Sequence, residues 1–153
     1  MDSTNKENIN SASRNSGETE LQDSKINIDF SESEFDKKFK AVKEKVETEL
    51  ALGERLSVIK LIDGIIEHAW IIRSSDIHLE PGPKDISVRF RIDGMLQDVH
   101  IIPKAIHSEV VTRIKILASL RTDEHQAAQD GRFRVTTESN DVIDVRVSIV
   151  PTY

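Results

Sequence analysis

Residues 76–102 read DIHLEPGPKDISVRFRIDGMLQDVHII, and this stretch decides the fold class. Apolar and polar side chains alternate along it, the period of a strand with one buried face. Asp76-Ile77-His78-Leu79-Glu80 alternates and stops at Pro81-Gly82-Pro83, where the fixed φ of proline and the freedom of glycine make a turn. Ile86, Val88, Phe90 and Ile92 then share one face, and Ser87, Arg89, Arg91 and Asp93 the other. Asp93-Gly94 is a two-residue hairpin signal, after which residues 95–102 return as the next strand.

Upstream the period changes to that of a helix. Val58, Leu61, Ile62, Ile65, Ile66, Ala69 and Trp70 mark one wide apolar face, with Lys60, Asp63 and Glu67 opposite. Ser57 is the predicted cap, Ser74-Ser75 the predicted end, and Gly64 a point where a neighbour can approach closely. Downstream, Pro103 opens a helix with Val110, Val111, Ile114, Leu117 and Ala118 facing inward. A polar loop over 121–129 leads to Asp130-Gly131. Phe133 and Val135 alternate with Arg132, Arg134 and Thr136; after a turn over 138–141, Ile143, Val145, Val147 and Ile149 alternate with Asp144, Arg146 and Ser148. Helix, three strands, helix and two strands predict an α+β domain over 56–153: one antiparallel sheet, helices on one face, the other face polar.

The segment before it divides in two. Residues 1–30 are rich in Asn, Ser, Glu, Asp and Lys and predict a disordered polar tail. Residues 31–55 predict a charged amphipathic helix and linker, with Ser31 or Ser33 as cap, a stripe of Phe35, Phe39, Val42, Val46 and Leu50, and Gly53 as stop. So narrow a stripe must lean on the following domain or on a partner.

Composition limits the chemistry. The 153 residues carry a formal net charge of −6, which argues against non-specific nucleic-acid binding. There is no cysteine, so neither disulfide nor thiolate chemistry is available. No apolar run approaches the roughly 20 residues that span a bilayer, and the start lacks the build of a signal peptide. A cytoplasmic protein without membrane insertion is the expectation.

Against this acidic background Arg89, Arg91, Arg132, Arg134 and Arg146 all fall on polar faces of predicted strands. Guanidinium is permanently charged and offers a planar fork that fits phosphate or carboxylate. Asp76, Glu80, Asp93, Asp98 and Asp144 stand on or beside the same strands and can neutralise them. Asp76, His78 and Glu80 share one strand face, as a ligating cluster or as a structural network. The five histidines (68, 78, 100, 107 and 125) show no helical i, i+4 pair, and no metal site is expected. No GxxxxGK[ST] stretch occurs, so no loop of this chain is expected to cradle nucleotide phosphates, and the chain alone is not expected to hydrolyse ATP or bind a cofactor.

Five phrases together resemble one family. Ser75–Pro81 is similar to SDIHxEP; Val88–Gly94, followed by Met95-Leu96, to VRFRIDG; Arg113–Ala118 to RIKxLA; Gln129–Arg132 to QDGR; and Asp144–Ser148 with Pro151-Thr152 to DxRVSxxPT. In this order and spacing they resemble the type II secretion and type IV pilus assembly ATPases. The resemblance implies a PAS-like domain that precedes a RecA-like core, in hexameric motors that bind ATP and magnesium at that core. It implies Arg132 and Arg146 as arginines approaching the nucleotide phosphates, and Arg89, Arg91 and Arg113 as secondary candidates. Asp76, His78, Glu80, Asp93, Gly94, Asp130 and Gly131 are its structural motif positions. Implied partners are the RecA-like core, neighbouring subunits and an inner-membrane platform protein, which would hold the chain at the membrane periphery. The family's ExRxPQDGR is Glu124–Arg132 here, without its basic residue and proline. Since Tyr153 follows PT, the chain is expected to be an incomplete one, lacking the RecA-like core. The alternatives are a stand-alone interaction module that binds the motor or its platform, or a small-ligand sensor by analogy of fold.

Overall fold

The computed structural model describes residues 33–151. The expected tail over 1–30, the alternative cap Ser31 and the final Thr152-Tyr153 lie outside the described residues.

Helix α1 (Glu34–Ala51) begins at Ser33, whose hydroxyl accepts from the Asp36 amide while the Asp36 carboxylate accepts from the Ser33 amide. This reciprocal cap satisfies two otherwise unpaired donors. Val42, Val46 and Glu49 are its buried residues. Gly53, at φ +57°, turns the chain into α2 (Val58–Ile71). The backbone amide of Ser57, at the start of α2, donates to the Glu49 carboxylate. α1 therefore leans on the domain that follows it. At Gly64 the two helices pack closely: a Cβ there would sit 3.0 Å from Val46 Cγ2.

α2 is the buried centre of the fold, with Leu61, Ile62, Ile65, Ile66 and Ala69 in the core. Two of its residues depart from the expected faces. Glu67 belongs to the polar side by period, yet it is buried because α1 covers that side and brings Lys45 to it. Trp70, assigned to the apolar face, is 44% exposed and donates from Nε1 to Asp141.

Strands β1 (Asp76–Pro81), β2 (Asp85–Ile92) and β3 (Met95–Pro103) form an antiparallel sheet in the order β1-β2-β3. Ile86, Val88 and Phe90 are buried, as alternation requires, and Asp93-Gly94 turns with both residues at positive φ. The register shifts between Val88 and Arg89, where Val88 faces His100 and Arg89 faces Asp98. The extra residue, Val99, makes a bulge.

After a short 3-10 turn comes α3 (His107–Leu117), then β4 (Gln129–Thr136) and β5 (Val142–Ile149). These last two strands do not join the first three. They form a separate two-stranded ribbon, so the single sheet expected from sequence is two antiparallel sheets. The ribbon still presents an apolar side to the core, through Phe133, Val135, Ile143 and Val145. At its base Gly131 lies against the end of α3, where a Cβ would meet Leu120 Cδ2 at 2.9 Å and the Ala118 carbonyl at 3.0 Å. A side chain at this position would force Leu120 or the Ala118 carbonyl to shift.

Candidate functional site: the arginine pair on the ribbon

Most strand arginines are neutralised by their neighbours. On the outer face of the three-stranded sheet, Arg91 Nε contacts Asp76 at 3.0 Å, and Arg89 contacts Glu80 at 3.3 Å and Asp98 at 3.2 Å. The registers Asp76↔Arg91 and His78↔Arg89 place these groups side by side. Asp76 and Glu80 of this face are thus engaged in ion pairs, and among the described residues no group of three or more His, Asp or Glu suited to a metal ion forms. Arg113 lies 3.9 Å from Asp63 and ties α3 to α2. On the ribbon, Arg134 pairs with Asp144 at 2.9 Å.

Arg132 and Arg146 differ. They are directly opposed in the β4–β5 register, so both side chains leave the same outward face. Both are exposed, and neither has a carboxylate partner among the described residues. Like charges directly opposite on a sheet repel each other. The pair borders a shallow groove of about 560 Å³ that also includes Asp130, Gly131, Val147 and Ser148. The structure thus brings together two of the sequence-predicted arginines and places Arg89, Arg91 and Arg113 elsewhere, each with its own acid. Asp93 and Gly94 form the hairpin turn.

Sequence reasoning missed a buried histidine pair. His68 of α2 and His100 of β3 are both buried, and His68 Nδ1 lies 2.8 Å from His100 Nε2. Phe39 of α1 and Phe90 of β2 pack against His68. Burial, then the neighbouring His100, depresses the His68 pKa to about 4; burial likewise lowers that of His100. Lys43 of α1 adds to both shifts, and Glu47 opposes the second. Only the alternation that puts His100 on the face of Phe90 could have hinted at this.

The pair has a consequence for stability. The unfolded chain takes up protons near pH 6.5 and the folded chain near 4, so stability is complete above 6.5 and falls as the pH drops through this window. By pH 5 the loss is about 2 kcal/mol. Urea midpoints at pH 7.5 and 5.0 should separate accordingly, and His68→Leu should flatten the difference. Equal midpoints for the parent chain would mean that the folded pair takes up protons as readily as the unfolded chain does.

The family profile described as "Type II/IV secretion system protein" matches residues 52–153. The type II secretion system protein E of Xanthomonas campestris is 40% identical over 101 residues, 66% of this chain and 18% of that protein. The type IV pilus assembly ATPase PilB of Myxococcus xanthus is 42% identical over 95 residues, 62% of this chain and 17% of its own length. PilB of Thermus thermophilus is 38% identical over 122 residues, 78% of this chain and 14% of that protein. The chain therefore spans about a fifth or less of the length of these relatives. With the profile covering two thirds of its residues, the chain belongs to the type II/IV secretion system protein family.

Proposed function

We propose that this chain provides the PAS-like domain that accompanies the ATP-binding core of a secretion or pilus-assembly motor, and that Arg132 and Arg146 approach the phosphates of nucleotide bound at that core. The observation that carries this reading is the pair directly opposed on the ribbon, without a carboxylate partner among the described residues. Two guanidinium groups that repel each other in the free domain gain most from a shared anion. Neighbouring Arg134, held by Asp144, gains less.

The residues present fit a phosphate contact and not a complete nucleotide site. No GxxxxGK[ST] stretch occurs in the 153 residues. Magnesium-bound ATP at that core would supply the transferable phosphoryl group; Arg132 and Arg146 would supply positive charge where negative charge accumulates, and the ribbon would relay motion of the domain to that contact. Hexameric assembly, contact with an inner-membrane platform protein and a cytoplasmic location belong to the same proposal. The relatives' names speak of a type II secretion system and of type IV pilus assembly, which supports a place for this chain in such a machine. No helix among the described residues is long and apolar enough to cross a membrane.

The test pairs this chain with the ATP-binding core of a relative whose own leading domain has been removed. Turnover above that of the core alone should require both arginines. Stimulation indifferent to Arg132→Ala and Arg146→Ala would overturn the reading.

A further inference from the structure

The ribbon that carries the arginine pair packs its apolar side on the core through Phe133, Val135, Ile143 and Val145, and polar contacts tie it to the body at its two ends. At its base, Gly131 sits against Ala118 and Leu120, and Gln129 exchanges hydrogen bonds with the Arg121 backbone at 2.9 and 3.1 Å. An open cleft of about 970 Å³ runs beside it, bordered by Ile62, Ile66 and Trp70 of α2 and by Phe133, Val145 and Ile149 of the ribbon. At its tip the turn is braced internally: the Thr137 amide donates to the Asp141 carbonyl at 2.9 Å, and the Asp141 amide to Thr137 Oγ1 at 3.1 Å. Side chains from the helices reach this turn, Lys45 and Trp70 among them. Lys45 Nζ of α1 donates to Glu138 at 2.5 Å and to Glu67 of α2 at 3.4 Å, and Trp70 Nε1 donates to Asp141 at 3.3 Å.

We propose that Lys45 and Trp70 form a latch on the β4–β5 turn that fixes where the ribbon presents Arg132 and Arg146. Both are positioning residues; neither touches the anion. The proposal rests on the reading of the arginine pair as a phosphate contact. Its physical basis is a second point of attachment. Packing on the core and the Gly131 contact hold one side and one end of the ribbon, and the latch holds the other end, so its loss leaves the strands, with Arg132 and Arg146 on their outer face, freer to twist on that packing. Lys45 is suited to the role because its ammonium bridges α1, α2 and the turn. The Glu138 hydrogen bond holds its pKa above the usual lysine range, so the bridge stays charged at neutral pH. Lys45 also stands in α1, which precedes the segment shared with the family at 52–153. A force on α1, from a partner or from the rest of a motor, would therefore be felt at the ribbon turn through Lys45.

The experiment uses this chain, amide hydrogen exchange and titration with inorganic tripolyphosphate. Lys45→Met keeps the aliphatic stem and removes the charge; Trp70→Phe keeps most of the ring and removes the donor. Each should speed exchange in β4 and β5 by about fivefold to tenfold, with β2 unchanged. Tripolyphosphate binding should weaken by about threefold in the same variants, and Lys45→Arg should restore both. Unchanged exchange in the ribbon, or acceleration shared equally by β1–β3, would overturn the latch. Absence of tripolyphosphate binding in the parent chain would overturn the arginine reading; faster ribbon exchange in Lys45→Met would then still support the latch.

Discussion

Arg132→Ala is expected to lower ATP turnover by about a hundredfold or more when the chain works beside an ATP-binding core. The loss should fall on kcat more than on KM, since the charge matters most where phosphoryl transfer spreads negative charge over the oxygens. Arg132→Lys should recover only part of the rate, because an ammonium lacks the planar two-pronged fork. Arg146→Ala should act in the same direction, and the double variant should fall short of the sum if both groups meet one anion. Arg134→Ala is the control. It lies on the same outward face, but its charge is held by Asp144, and its removal should leave turnover within about twofold. An equal fall in Arg132→Ala and Arg134→Ala would reduce the effect to general surface charge.

The second large effect concerns the core. Phe90 is fully buried in β2, with its ring 5.4 Å from that of His68 and 6.1 Å from that of His100. Phe90→Ala should cost about 3–5 kcal/mol, the transfer energy of the ring plus the cavity it leaves. Domains of this size are stable by about 5–15 kcal/mol, so a large part of the population should unfold under mild denaturant. The cavity would also open a path for water to the histidine pair, so the acid sensitivity above pH 5 should shrink in the same variant. Urea titrations at two pH values read both effects. A loss below about 1 kcal/mol would mean that the core collapses around the gap.

Much of this was legible because alternation is local. The faces of β2, β4 and β5 follow from period two, and Asp93-Gly94 could hardly be anything but a hairpin turn. The family phrases pointed to Arg132 and Arg146, and the register adds that they stand directly opposite each other. What alternation cannot give is which strand edges meet, and so one sheet was expected where there are two. Glu67 and Trp70 were misplaced for a related reason. A helical period shows the face of α2 that meets the sheet, but α1 buries a second side, and the ribbon turn captures the indole outside the core. His68 and His100 are far apart in sequence, and neither residue alone signals a buried contact.

The contacts between α1 and α2 bear on where this molecule can be divided. The family match begins at residue 52, yet Glu49 satisfies the first amide of α2, Val46 fills the notch at Gly64, and Phe39 covers His68. A fragment cut at residue 52 would lose all three at once, leaving an amide without its acceptor and an imidazole open to water. The piece that keeps these contacts is therefore larger than the segment that the family profile matches. Grafting this domain onto another core means carrying α1 along or rebuilding the surface it shields.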